Sequence, residues 1–115
     1  MPTTTSRIES LKKILESDPN DSFSRYALAL EYDSGGDSQL AVTTLLEVIG
    51  RDPKYVPAFH QLGRIYTRHN RTQEAKAIYR RGIEAAVFSG ELSQGDFQLE
   101  KKEMEEELEE LEDEW

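Results

Sequence analysis

The side chains in this chain that could do chemistry are few, and their spacing suits neither catalysis nor metal binding. The two histidines, His60 and His69, are nine residues apart and fall on different parts of the sequence, which is not the arrangement of a metal pair. The absence of cysteine removes thiolate nucleophiles and thiolate ligands. No serine lies in a nucleophile-elbow sequence, and no glycine-rich phosphate loop occurs. We therefore predict that the protein is not an enzyme and uses no cofactor or metal.

The negative charge of the chain is concentrated at its C-terminal end. Residues 100–115 contain ten of the 23 acidic residues and only two lysines, so this segment carries −8 of the net charge of −9. Nucleic-acid binders usually offer a basic face to phosphate, and neither part of the chain does so. No apolar run is long enough to span a bilayer, and the N-terminus lacks the apolar core of a signal peptide. We expect a cytoplasmic protein that binds neither nucleic acid nor membranes.

An internal repeat organises most of the chain. Asp18-Pro19 recurs 34 positions later as Asp52-Pro53, and residues 18–51 aligned with residues 52–85 give seven identities. Within each unit the apolar residues recur at steps of three and four, which predicts two helices separated by a polar break. The repeated units therefore predict a fold built from helix pairs.

The repeated residues have a recognisable pattern. The second unit contains Phe59-x2-Leu62-Gly63-x2-Tyr66, followed by Ala75-x3-Tyr79. The first unit contains Leu28-Ala29-x2-Tyr32, then Ala41-x3-Leu45 and Pro53, with Arg25 at the position of the first aromatic residue. This pattern resembles that of the tetratricopeptide repeat family. The resemblance implies an all-α fold of about six helices, in which antiparallel helix pairs form a right-handed superhelix.

The repeat register also divides the chain. We expect one domain over residues 1–115, made of an N-terminal half repeat (7–17), a first repeat (20–53), a second repeat (54–88) and an acidic capping helix (96–115). After residue 86 the register is lost, because Val87 stands where a third proline would fall. Ser89-Gly90-Glu91 and the residues from Ser93 to Asp96 predict a loop, with Asp96 as the N-cap of the last helix.

The sizes of the repeated residues explain why the pattern needs them. Small residues would let the two helices of a pair approach closely, and these are Ala29, Ala41, Gly63 and Ala75. Larger residues would fill the space around that approach, and these are Leu28, Tyr32, Phe59, Leu62, Tyr66 and Tyr79. Pro19 and Pro53 would end the second helix of each pair, since proline has no N–H to continue it.

The resemblance implies where a partner would bind. In the tetratricopeptide repeat family, the first helix of each pair lines a concave groove that receives a peptide. The positions that correspond to this groove are Tyr26, Leu30, His60, Gln61, Arg64 and Arg68. A partner's apolar residue would lie near Tyr26 and Leu30, and its carboxylate would pair with the planar guanidinium of Arg64 or Arg68. Alternatively, Phe23 and Leu30 pack on the N-terminal helix, which we favour for these two residues, and the arginines only keep the surface soluble.

The acidic C-terminal helix has three possible roles, and the first is favoured. It could cap the last repeat with the apolar residues Phe97, Met104, Leu108 and Leu111. It could form a homodimer seam, because Met104, Leu108, Leu111 and Trp115 follow coiled-coil steps. It could attract a basic partner. The predicted function is protein–protein interaction through the groove, and the alternative is self-assembly through this helix.

Overall fold

The computed structural model describes residues 3–93 and 97–113 of the chain. These residues form six α-helices and no strand, which confirms the predicted all-α class. The helices are α1 (Thr4–Ser17), α2 (Ser22–Ser34), α3 (Ser38–Arg51), α4 (Val56–Arg68), α5 (Thr72–Ser93) and α6 (Gln98–Glu112). The chain divides between Asp52 and Pro53 into two compact units, each built from three helices.

In the first unit, short polar side chains begin all three helices. Thr3 precedes α1, and its hydroxyl accepts a hydrogen bond from the Ser6 amide at 3.1 Å. Asp21 and Asp37 cap α2 and α3 in the same way. Each cap satisfies a backbone N–H that has no partner within its helix. The first unit is completed by α1 and α3, which both pack against α2.

Arg25 explains the departure of the first unit from the repeat pattern. It occupies the position of Phe59 in the second unit, and it is 7% exposed. Its Nη1 donates a 2.7 Å hydrogen bond to the carbonyl oxygen of Pro19, and its Nε lies 3.6 Å from a carboxylate oxygen of Glu47. The aliphatic stem of an arginine can fill apolar space while its head group forms polar contacts. Arg25 therefore takes the buried place of the missing aromatic residue.

In the second unit, α4 and α5 form a hairpin whose close approach depends on Gly63. A Cβ atom placed on Gly63 would fall within 2.7 Å of three carbon atoms of the Tyr79 ring, closer than real Cβ contacts allow. Tyr79 is 1% exposed, and Ala75 is fully buried on the same helix. The prediction that a small residue here lets two helices pack tightly, with a large side chain filling the gap, is therefore confirmed.

Helix α5 continues past the end expected for the second repeat. We expected a loop at Ser89-Gly90-Glu91, and this prediction is wrong, because α5 extends to Ser93. The physical reason is the valine at position 87, which has the backbone N–H that proline lacks and does not end the helix. The predicted cap Asp96 and the terminal Trp115 lie outside the described residues. Of the helices that the structure describes, none is both long and apolar enough to cross a membrane.

Candidate functional site

The acidic helix α6 packs within the second unit, against α5 and, over a smaller area, against α4. Its Met104 is fully buried, and Leu111 is 5% exposed. Met104 lies over Gly82 of α5, where an added Cβ would come within 2.6 Å of the methionine sulfur and of the Phe59 Cβ. Gly82 thus leaves the recess that admits Met104. This packing makes α6 a cap on the second unit.

His60 of α4 is held between two carboxylates of α6. Its side chain is 3% exposed, its Nδ1 contacts Glu100, and its Nε2 lies 2.7 Å from Oε2 of Glu107. A neutral imidazole has one N–H and can donate to only one of two carboxylates. The pair of contacts therefore needs a second proton, either on the ring or on one of the carboxylates. A buried polar atom without a partner is costly, and both ring nitrogens of His60 have a partner.

Glu107 also accepts hydrogen bonds from the residues that surround His60. Arg64 donates from Nε and Nη2 to the two carboxylate oxygens, at 3.0 and 3.1 Å. The hydroxyl of Tyr79 donates to Oε1 of the same carboxylate at 2.9 Å. Farther along the helix, Arg80 of α5 donates to Glu112 at 2.8 Å. Glu107 is thus the residue of α6 on which α4 and α5 converge.

These contacts fix the ionisation of the cluster. Burial alone would raise the pKa of the Glu107 carboxyl, but the hydrogen bonds from Arg64, His60 and Tyr79 outweigh it and hold that pKa below its ordinary value. Burial raises the pKa of the Tyr79 hydroxyl, and its bond to Glu107 raises it further. The hydrogen bond to Glu107 likewise raises the pKa of Arg64. At neutral pH Glu107 is therefore ionised, and it accepts hydrogen bonds from the protonated Arg64 and Tyr79.

One set of side chains in the described part of the chain has the spacing that a metal ion could use. It consists of His60, Glu100 and Glu103, each of which offers one ligand atom within 4.8 Å of the others. A metal would need a lone pair on a ring nitrogen of His60, and both ring nitrogens already contact carboxylates of α6. The ion pairs with α6 account for these residues without a metal. We therefore interpret the set as part of the contact between α4 and α6.

The groove positions predicted on α4 have different surroundings. His60 is buried against α6, Gln61 is half-buried, and Arg64 and Arg68 are exposed. The two arginines line an open cleft of about 380 Å³ within the second unit. Its lining is Arg64, Thr67, Arg68, Tyr79, Glu107, Glu110 and Leu111. The structure thus brings two of the predicted residues, Arg64 and Arg68, to one cleft. His60 is buried against α6 and does not line that cleft.

The groove positions predicted on α2 lie in the first unit. Tyr26 and Leu30 are both half-buried. Phe23 precedes them on the same helix and is 68% exposed, so our preference for packing Phe23 on the N-terminal helix is wrong. The positions 23, 26 and 30 are separated by steps of three and four, which place them along one side of a helix. The first unit therefore presents an apolar stripe that begins with an exposed aromatic residue.

The residues that sequence reasoning missed are the glutamates that bind α4. We predicted the apolar positions of the capping helix, of which Met104 and Leu111 are buried, but Glu100 and Glu107 were not distinguished from the other acidic residues. A signal was present in the spacing. Glu100, Met104, Glu107 and Leu111 are separated by steps of four, three and four, so two acidic positions continue the apolar stripe. Such residues are candidates for buried ion pairs.

The fold and this packing can be compared with known proteins. The sequence profile described as Tetratricopeptide repeat matches residues 2–88. A solution NMR structure of a tetratricopeptide repeat domain protein from Salinibacter ruber is 33% identical, with a TM-score of 0.72, over 83% of this chain and 90% of the other. A crystal structure of such a protein from the same organism is also 33% identical, with a TM-score of 0.71, over 80% and 96% of the two chains.

A more distant structure shares the fold alone. The translocator chaperone SycD of the Yersinia enterocolitica type III secretion system is 14% identical, with a TM-score of 0.79, over 91% of this chain and 69% of that one. No curated protein matches the chain in sequence. The profile match covers most of the sequence and coincides with the repeated helix pairs. The chain belongs to the tetratricopeptide repeat family.

Proposed function

We propose that this protein is a non-catalytic interaction module that binds partner polypeptides, and that the exposed face of α2 in the first unit and the exposed face of α4 in the second unit each offer a binding surface. The tetratricopeptide repeat fold is commonly a protein–protein interaction module. The observation that carries the proposal is the cleft of the second unit, where Arg68 stands beside the buried Tyr79 and Leu111. Arg64 lines the same cleft and already binds Glu107. Basic groups beside an apolar floor suit a segment in which a carboxylate neighbours an apolar residue.

The first unit supports the same function through a different chemistry. The stripe that begins at Phe23 and continues through Tyr26 and Leu30 offers aromatic and aliphatic surface. Aromatic residues provide much of the binding energy at protein interfaces. We propose that this stripe contacts apolar side chains of the partner, while the cleft of the second unit takes an acidic side chain or a terminal carboxylate.

A displayed library of random peptides tests this function without a known partner. We expect wild-type protein to enrich peptides that combine acidic and apolar residues, and Arg68→Glu and Tyr26→Ala each to lose their capture. Arg68 is preferred to Arg64 for this test because Arg64 also holds Glu107. Lys12→Glu on the exposed side of α1 makes the same change in charge and should leave capture unaltered. Equal capture by Arg68→Glu and wild type, with unchanged far-UV circular dichroism, would refute the proposal that the cleft binds the partner.

The alternative of self-assembly through α6 has less support. Met104 is fully buried and Leu111 nearly so within their own unit, so two positions of the expected seam are already occupied. A homodimer through this seam would require α6 to leave α5. Sedimentation velocity across a range of concentrations tests it, because a monomer at every concentration would exclude the seam.

A further inference from the structure

The surface of the second unit that binds α6 consists of His60, Arg64, Tyr79 and Gly82, and we refer to it as the α6-binding surface. We propose that the α6-binding surface recognises acidic amphipathic helices, and that a partner protein binds by placing such a helix there instead of α6. This inference rests on the proposed function of polypeptide binding. It describes a second mode of binding, in which the partner segment takes the place of α6 and does not lie beside it in the cleft of the second unit.

The contacts of α6 define what the surface recognises. Two carboxylates seven residues apart, Glu100 and Glu107, reach the two nitrogens of His60. Two apolar side chains with the same separation, Met104 and Leu111, are buried beside them. Seven residues make about two helical turns and about 10 Å. The recognised pattern is therefore Glu-x3-apolar-x2-Glu-x3-apolar on one side of a helix.

The residues of the α6-binding surface lie on α4 and α5. His60 lies on α4, Tyr79 of α5 packs against Gly63 of α4, and Gly82 forms the recess for an apolar side chain. Arg64 and Tyr79 direct hydrogen-bond donors at one carboxylate position. Preorganised donors of this kind favour binding because little ordering is required when the ligand arrives.

The helix that now occupies the surface is poorly stabilised by its own sequence. Two pairs of like charges lie four residues apart in α6, and such pairs destabilise a helix. They are Glu105 with Glu109 and Glu106 with Glu110. Lys101 makes a compensating contact with Glu105 at 3.4 Å. Acidic residues in the last turn of α6 oppose the helix dipole. A separate helix of the same length, with the same four contact residues and a less acidic outer face, would therefore have a higher intrinsic affinity for this surface than α6 has.

Covalent attachment gives α6 an advantage that a partner must overcome. Its effective concentration at the surface is on the order of millimolar. The test therefore uses the full chain carrying Met104→Ala, which weakens α6 and leaves the α6-binding surface intact. The probe is a fluorescent synthetic peptide with the sequence of residues 97–113, and binding is measured by fluorescence anisotropy. We expect the peptide to bind the Met104→Ala chain about tenfold more tightly than the wild-type chain.

Matched peptides distinguish specific recognition from attraction of opposite charges. A peptide with Glu107→Gln should bind the Met104→Ala chain about tenfold more weakly than the unchanged peptide. A peptide with Glu106→Gln, which loses the same charge on the exposed side of the helix, should bind as the unchanged peptide does. Equal affinities for the Glu107→Gln and Glu106→Gln peptides would overturn the proposal. So would failure of the unchanged peptide to bind a Met104→Ala chain that is helical by far-UV circular dichroism.

Two further results separate this inference from neighbouring ones. Random peptides that depend on Arg68, with no binding of the α6 peptide, would leave the proposed function standing and remove the acidic-helix partner. A Met104→Ala chain that forms dimers without added peptide, and loses them when Glu107→Gln is also present, would identify a second copy of the chain as the occupant. That result would overturn the proposal of a partner protein.

Discussion

Replacing Gly63 with alanine tests the close approach of α4 and α5, on which the second unit depends. At an unobstructed helical site this change stabilises a protein by about 0.5–1 kcal/mol. At Gly63 the new methyl group would fall within 2.7 Å of the Tyr79 ring. Overpacking of this kind costs about 1–3 kcal/mol. A displaced Tyr79 would also lose its hydrogen bond to ionised Glu107, which costs about 1.5–3 kcal/mol.

The favourable and unfavourable contributions together predict that Gly63→Ala lowers the free energy of unfolding by about 2–4 kcal/mol. The assay is urea unfolding followed by far-UV circular dichroism. Gly50→Ala is the matched control, because Gly50 lies in α3 and, apart from the adjacent residues and the backbone of its own helix, a Cβ added there would meet no atom within 4 Å. It should raise the free energy of unfolding by about 0.5–1 kcal/mol. A Gly63→Ala variant at least as stable as the wild type would show that the second unit does not depend on the close approach of α4 and α5 at this residue.

Three further predictions concern α6. Because the pKa of Glu107 lies below its ordinary value, its contribution to stability is present above the ordinary pKa of a glutamate carboxyl and is lost as the pH falls below that value, so the free energy of unfolding of the wild type should fall toward that of Glu107→Gln on acidification, as urea unfolding at each pH would measure. Met104→Ala should lower the free energy of unfolding by about 2–4 kcal/mol, whereas Leu99→Ala, at a side chain that is 70% exposed, should change it by less than about 0.5 kcal/mol. Added Zn²⁺ should leave the melting temperature of the wild type unchanged, and a rise that disappears in His60→Gln would instead indicate a metal site.

The helix pairs could be predicted because their determinants are local and repeated. A small residue at position 63 opposite a large one at position 79 recurs in the sequence pattern, and the structure places them in contact. The buried place of Arg25 was not predictable, because its partners Pro19 and Glu47 are specified by the path of the chain and not by residue type. The exposure of Phe23 was not predictable either, because an aromatic residue in a helix is usually buried.

The α6 contacts were only partly predictable for a related reason. The apolar positions Met104 and Leu111 stand out in a charged helix, and both are buried. The choice of Glu107 over its acidic neighbours depends on which side of α6 meets His60 and Arg64. That choice depends on contacts between residues more than 40 positions apart in the sequence. Local helix propensity therefore does not predict it. The end of α5 was missed because Gly90 costs a helix only about 1 kcal/mol, which neighbouring interactions can offset.

Glu107 is the carboxylate of α6 on which α4 and α5 converge, and a double-mutant cycle between Arg64 and Glu107 tests its importance most directly. Alanine at either position, and at both, gives a coupling free energy from urea unfolding. A parallel cycle between Arg71 and Glu74, an exposed pair three residues apart, is the control. We expect a coupling of about 1 kcal/mol or more for Arg64 and Glu107, against at most about 0.5 kcal/mol for the control. Coupling no larger than that of the control would contradict the account.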